Sequence, residues 1–260
     1  MTEITEVLTA RAELQAILSA KDRAGDPLRL VVMTGAGIST ESGIPDFRSP
    51  GGLWSKIEPV TYQDFVRDER ARLEDWRRRF EMKRIFDAAE PNAAHRVLAG
   101  LARSGRLDLL ITQNVDGLHQ RSGVPEDRLV EIHGNSTYAT CLDCGAKAEL
   151  AEAEAAWKSG HTPNCSACGG LLKAAVISFG QAMPEDKQSR AAEAAANADV
   201  FLAVGSSLVV QPAAQLPVIA ARHGAELIII NREKTPLDDL ASTLIRPGIA
   251  EVFCGLDQSC

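Results

Sequence analysis

Four cysteines and one histidine mark where this chain could do chemistry. Cys141 and Cys144 form one Cys-x-x-Cys pair and Cys165 and Cys168 a second, with twenty residues between the pairs. Each pair is followed by a glycine, Gly145 or Gly169, so the backbone can turn tightly and bring both thiolates to one ion. Two such knuckles supply a complete tetrahedral sphere for zinc, and a sphere closed by four protein ligands holds a structural ion, not a catalytic one. The competing readings are a thioredoxin-like redox pair, which needs only one motif, and plain buried thiols, which need no spacing. His161 lies between the pairs and finds no vacancy in a full cysteine set, and Cys254 and Cys260 have no partner motif. His133 ends the alternating segment Leu129-Val130-Glu131-Ile132. Imidazole there could accept a proton near neutral pH, or it could be purely structural.

A second set of polar groups recurs directly after apolar runs. Gly35-Ala36-Gly37-Ile38-Ser39 follows Leu28 to Met33, and Gln113-Asn114-Val115-Asp116 follows Leu107 to Thr112. Gly205-Ser206-Ser207 follows Val200 to Val204, and Asn231-Arg232-Glu233 follows Leu227 to Ile230. Closely spaced glycines let bare backbone approach a phosphate, while amides and a carboxylate can bond ribose hydroxyls and a carboxamide. Each motif alone is also ordinary turn chemistry. The usual dinucleotide fingerprint would need a third glycine at position 40, where the chain has Thr40, which argues against an ordinary dehydrogenase turn. A long polar loop with Asp46, Phe47 and Arg48 follows instead.

The elements that must position these groups alternate. The runs at 28–33, 107–112, 176–179, 200–204 and 227–230 are almost continuously apolar, as strands covered on both faces are. Helical stretches lie between them: Ala93 to Ser104 stops at Gly105, an alanine-rich stretch runs from Pro184 to Ala198, and Pro212 to Arg222 stops at Gly224. This pattern predicts a doubly wound α/β domain whose ligand sits beyond the carboxyl ends of its strands. Two segments interrupt it. Residues 51–90 carry Leu73, Trp76 and Phe80 on one helical face among mixed charges, and 135–172 hold the clustered cysteines. The N-terminus through Lys21 reads as an amphipathic helix with Val7, Leu8, Leu14, Ile17 and Leu18 on its apolar face.

With 260 residues, 45% of them hydrophobic, the chain can bury a substantial core. A net charge of −7 disfavours nucleic acid and anionic membranes as principal partners. The N-terminal residues lack the basic start and apolar core of a signal peptide, and no apolar run reaches the ~20 residues that span a bilayer. The expected location is the cytoplasm, where cysteines are thiols or metal ligands before they are disulfides.

In this order, Gly35 to Ser39, Gly43-Ile-Pro-Asp-Phe-Arg48, Thr112-Gln-Asn-Val-Asp-Gly-Leu-His119, His133-Gly134, the paired Cys-x-x-Cys, Phe179-Gly180, Gly205-Ser-Ser-Leu208 and Asn231 resemble the sirtuins, the NAD-dependent protein-lysine deacylases. The resemblance runs from about Leu28 to Ala250. It implies a Rossmann-like doubly wound parallel sheet over residues 1–50, 91–134 and 173–260, and a small domain made of a helical part (51–90) and a four-cysteine zinc ribbon (135–172). NAD, as a consumed co-substrate, and an acylated lysine would meet in the cleft between them.

The resemblance also implies roles. Gly35, Ala36, Gly37 and Ser39 would approach the pyrophosphate, and Asp46, Phe47 and Arg48 would belong to a loop that covers NAD, Phe47 shielding the nicotinamide–ribose bond. Gln113, Asn114 and Asp116 would hold the nicotinamide ribose and carboxamide, with Asn114 in the catalytic set. Gly205, Ser206, Ser207, Asn231, Arg232, Glu233 and Ala250 would serve the adenosine half, and Ile177, Ser178, Phe179 and Gly180 would pair with the substrate peptide by strand addition. His133 would be the general base: the acyl oxygen displaces nicotinamide, a ribose hydroxyl deprotonated by His133 attacks the resulting amidate, and with one water taken up O-acyl-ADP-ribose leaves with free lysine.

Departures from the family pattern bear on substrate preference. Gln181 stands where many relatives have Glu after Phe-Gly, and Leu172 to Val176 lacks a proline often found there. Members that favour acidic acyl groups carry Tyr-x-x-Arg in the helical part, whereas neither Tyr62 nor Tyr138 has Arg three residues on. A neutral acyl group, acetyl first, is therefore expected. Two other functions use the same residues differently: mono-ADP-ribosyl transfer to protein, and a zinc-ribbon module that senses NAD without turnover.

Overall fold

The computed structural model describes residues 1–21, 23–46 and 58–257. Among these, seven strands form one parallel sheet: β1 (Thr2–Ile4), β2 (Leu30–Thr34), β3 (Leu107–Thr112), β4 (Leu129–Glu131), β8 (Val200–Val204), β9 (Glu226–Ile230) and β10 (Thr243–Ile245). Their spatial order is β1-β10-β9-β8-β2-β3-β4. Side-chain alternation divides each central strand between two cores. Val32, Leu110, Leu202 and Ile228 pack with Leu14, Leu98 and Phe253 from α1 (Val7–Ser19), α4 (Ala93–Arg103) and α9 (Ile249–Cys254). On the other face Val31, Ile111, Phe201 and Ile229 meet Ala191, Ala195 and Leu216 from α7 (Glu185–Asn197) and α8 (Gln215–Arg222). Burial on both faces is why these strands read as unbroken apolar runs.

The small module holds the three-stranded antiparallel sheet β6-β5-β7, with β5 (Gly134–Cys141), β6 (Lys147–Glu149) and β7 (Leu172–Val176). Against it pack α2 (Tyr62–Arg67), α3 (Glu69–Ala88) and α6 (Leu150–Lys158). Trp76 and Phe80 are buried, and their rings stack with centroids 5.3 Å apart. The short helix α5 (Leu118–Arg121) leads from β3 toward β4.

Three expectations change. The run 176–179 is not a strand of the large sheet. The strand lies at 172–176 and pairs antiparallel with β5 through Cys141↔Leu172 and Gly134↔Val176, so it straddles the boundary drawn after residue 172. An apolar run alone does not say which sheet it joins. Residues 2–4 form an edge strand before the N-terminal helix, and Leu8 faces solvent at 76% exposure although Leu14 is buried. The stretch from Pro212 becomes helical only at Gln215.

Candidate active site

The sheet order reverses between β2 and β8, and the loops that leave their carboxyl ends define the site. These loops touch. Gly37 N–H donates to the Gly205 carbonyl at 2.8 Å, and a Cβ on Gly35 would lie 2.7 Å from that same oxygen. Gly205 itself has φ +63°, and a side chain there would press on the Ile38 amide. The glycines are thus required first for loop-on-loop packing, and the amides of Gly35, Gly37 and Ile38 are already bound to protein carbonyls. Beyond these loops opens a cleft of about 860 Å³, walled on one side by strand ends and on the other by α3 and residues 176–181. Its size falls in the range of small-molecule sites, roughly 300–1,000 Å³.

Thr34 and Thr112 are register partners at the ends of β2 and β3, and their hydroxyls bond at 2.9 Å. The Asn114 amide donates to Thr112 Oγ1 at 3.0 Å, and Asn114 Nδ2 reaches the Gly35 carbonyl at 3.1 Å and Ser39 Oγ at 3.2 Å. Ser39 donates onward to Asp116 Oδ2 at 2.8 Å. Burial pushes the Asp116 carboxyl up from its ordinary value, opposed by hydrogen bonds from the Leu118 amide and Ser39. Ser39 is fully buried. It lines, with Ala36, Ile44, Phe86, Asn114, Val115 and Asp116, a small pocket beside the main cleft, so its place is below the loop and not on the open wall.

His133 follows β4 and lines the cleft. Its Nδ1 is 3.1 Å from the Gln113 carbonyl. A carbonyl only accepts, so Nδ1 carries a proton, and in the neutral ring Nε2 is then the nitrogen with the lone pair, the form a general base requires. Gln113 is fixed in turn by its amide on the Thr34 carbonyl at 2.9 Å and its Nε2 on Ser206 Oγ at 2.8 Å.

Residues 177–180 also line the cleft, but as a tight turn. Ser178 is closed onto Gln181 through both its amide and its carbonyl. The carbonyls of Phe179 and Gly180 accept from the Tyr62 amide at 2.9 Å and Gln63 Nε2 at 3.0 Å. Below the turn, the fully buried Lys173 donates from Nζ to the Val176 carbonyl, and burial pulls its ammonium down to about 7.

The four cysteines sit on the far end of the small module. Cys141 and Cys168 sulfurs are 3.5 Å apart, Cys144 and Cys165 3.8 Å, and all four lie within 4.8 Å of one another. Zinc–sulfur bonds of about 2.3 Å in a tetrahedron place sulfurs roughly 3.8 Å apart, so the set fits one zinc. Backbone N–H groups of Cys144 and Asp143 draw the Cys141 thiol down to about 7.

Of the expected cofactor residues, Gly35, Ala36, Gly37, Asp46, Gln113, Asn114, Gly205, Ser206, Ser207, Asn231, Arg232 and Glu233 share the cleft wall. Phe47 and Arg48 lie outside the described residues. Ala250 is not on the wall: its amide turns to Glu41 Oε1 at 3.0 Å as α9 begins, and Gly248 and Ile249 line the cleft in its place. Sequence reasoning missed Met82, Ile85 and Phe86, which face the cleft from α3. Their i, i+3, i+4 spacing was the available signal, hidden behind the stripe of Leu73, Trp76 and Phe80.

The Sir2 family model matches residues 35–212. An NAD-dependent protein deacetylase of Rhodopseudomonas palustris is 52% identical over 225 residues, covering 86% of this chain and 89% of that protein. NAD-dependent protein deacetylase 1 of Bradyrhizobium diazoefficiens is 48% identical over 239 residues, covering 90% and 94%. Among solved structures, Sir2 with a p53 peptide and NAD+ superposes with a TM-score of 0.81 at 35% identity over 94% of this chain and 95% of that one. Sir2 with deacetylated p53 peptide and 3'-O-acetyl ADP-ribose gives 0.82 at 35% identity over the same shares.

Proposed function

The chain belongs to the Sir2 family, and we infer that it is an NAD-dependent protein deacetylase that moves the acetyl group of an acetylated lysine onto ADP-ribose and releases nicotinamide. The observation that carries the assignment to this site is His133, held by the Gln113 carbonyl with the basic Nε2 lone pair in a cleft it shares with Asn114. NAD supplies a bond that breaks readily, since its leaving group is already cationic. The protein supplies placement.

In this reading Ala36, Gly37 and the Gly205–Ser207 loop receive the phosphates and adenosine ribose, Asn231 to Glu233 the rest of the adenosine half, and Asn114 the nicotinamide ribose. Beside the cleft Asp116 offers one polar group for a carboxamide and Ile44 and Phe86 two hydrophobic faces for its ring, at a recess of about 10 Å³ that has to widen before the ring can enter. Asp46 faces the cofactor from the cleft wall. His133 Nε2 takes the proton of a ribose hydroxyl. The substrate peptide lies along residues 177–180, and the wall from Met82 to Phe86 borders it. The sheet at 134–176 and the helices at 58–90 act as the second domain, whose four cysteines hold one structural zinc.

No helix of the described residues is long and apolar enough to cross a membrane. Four thiols kept as metal ligands suit the reducing cytoplasm, and the net charge of −7 speaks against nucleic acid as a partner. The α3 wall carries Arg79 paired with Asp75 at 3.3 Å and Arg78 paired with Glu74 at 2.6 Å, so both guanidinium groups are already neutralised and the site favours uncharged acyl groups. The test is nicotinamide release and peptide deacetylation measured together. His133→Ala should lower both turnover to acetyl-ADP-ribose and lysine release by about 10²–10⁴-fold; unchanged deacetylation would remove His133 from the mechanism. Radiolabel from NAD retained on protein would instead support mono-ADP-ribosyl transfer.

A further inference from the structure

Arg246 follows β10 and is only 10% exposed, yet it belongs to none of the motifs assigned above. All three guanidinium nitrogens are used. Nε donates to Glu3 Oε1 at 2.7 Å and Nη2 to Asp238 Oδ2 at 2.6 Å. Nη1 donates to the carbonyls of Asn231 and Glu233, each at 3.1 Å. Asn231 Nδ2 closes the same turn on the Glu233 carbonyl at 2.8 Å, and the Asn231 amide is held by the Ile245 carbonyl at 3.0 Å.

One planar group therefore joins the N-terminal strand, the loop after β9 and the 3-10 turn Asp238–Leu240. The loop residues whose carbonyls it binds, Asn231 and Glu233, line the cleft. A lysine could satisfy one of these partners but not four in a fixed plane. We propose that Arg246 is a positioning residue for the adenosine end of the cleft, and that the N-terminal strand belongs to the same device through Glu3. The inference rests on the reading that Asn231 to Glu233 bind the adenosine half of NAD.

Its test is steady-state kinetics with calorimetric ADP-ribose binding on Arg246→Met, Arg246→Lys and Glu3→Ala. Both Arg246 variants should raise the KM for NAD and the Kd for ADP-ribose by about tenfold, a change that corresponds to about 1.4 kcal/mol. Turnover at saturating NAD, the KM for acetyl-peptide and inhibition by nicotinamide should stay within twofold. Glu3→Ala, at a half-exposed side chain, should move the same two constants in the same direction by a smaller factor, and it serves if the Arg246 variants do not fold. A lowered melting temperature with unchanged ADP-ribose affinity would make Arg246 merely structural and overturn the inference. Asn231→Ala separates the two levels: if it leaves ADP-ribose affinity unchanged, the adenosine reading itself fails, whereas a loss there with none in the Arg246 and Glu3 variants refutes only the positioning role.

Discussion

At the scale of the residue, histidines divide by what surrounds them. His133 borders the cleft with Nδ1 on the Gln113 carbonyl, while His95 and His119 lie buried in the interior with ring centroids 5.0 Å apart. Burial pulls His95 down to about 4, with Arg96 adding a smaller push, and holds His119 well below its ordinary value. Unfolded histidine takes up its proton near 6.5, so between pH 6.5 and 4 the unfolded chain binds more protons and stability falls as pH falls. We expect His95→Gln to flatten that fall by about 3 kcal/mol across the window, read from urea midpoints at each pH. A slope equal to wild type would mean His95 is charged in the folded state. The tie from His119 Nε2 to Thr34 Oγ1 at 2.9 Å explains why a histidine in the Gln113–His119 motif points inward and not to the ligand. A motif gives the residue type, but the helical turn of α5 decides its direction.

At the scale of elements, the strand ends and the loops they launch were legible because doubly buried strands leave unbroken apolar runs. The short strands at one end of the sheet were not. Residues 2–4 and 243–245 are too short to show a pattern, and they are fixed by pairing with β10 and β9. Ala250 lies off the cleft wall because α9 begins there and its amide turns to Glu41. The loop-on-loop contact at the switch point yields a direct prediction. Gly205→Ala adds a Cβ at φ +63° against the Ile38 amide. The backbone strain alone costs about 1–3 kcal/mol. The variant should unfold at lower urea and raise the KM for NAD; wild-type values in both would show that the two loops are free to separate.

At the scale of the molecule, two modules, each built on its own sheet, face one cleft, and each can be perturbed separately. The small module packs Trp157 of α6 against Phe80 of α3, ring centroids 5.3 Å apart, in the same core as Cys141 and Cys165, so zinc removal should register as a change in tryptophan emission. Deacetylation should be lost, while ADP-ribose affinity, carried by the large sheet, persists within a few-fold. Full activity after complete chelation would separate the cysteines from the architecture of the cleft. Which sheet the 172–176 strand joins governs this coupling, since it links the cysteine end to the turn at 177–180; sequence alone could not place it, because both sheets accept an apolar strand.

The central claim is that the cleft breaks NAD to remove a neutral acyl group from lysine. Mass spectrometry of a peptide panel bearing acetyl-, propionyl- and succinyl-lysine, incubated with NAD and this protein, tests it most directly. The account predicts free lysine, nicotinamide and O-acetyl-ADP-ribose in equal amounts, with acetyl removed fastest and succinyl slowest. NAD cleaved with every acyl-lysine intact, or succinyl removed ahead of acetyl, would contradict it.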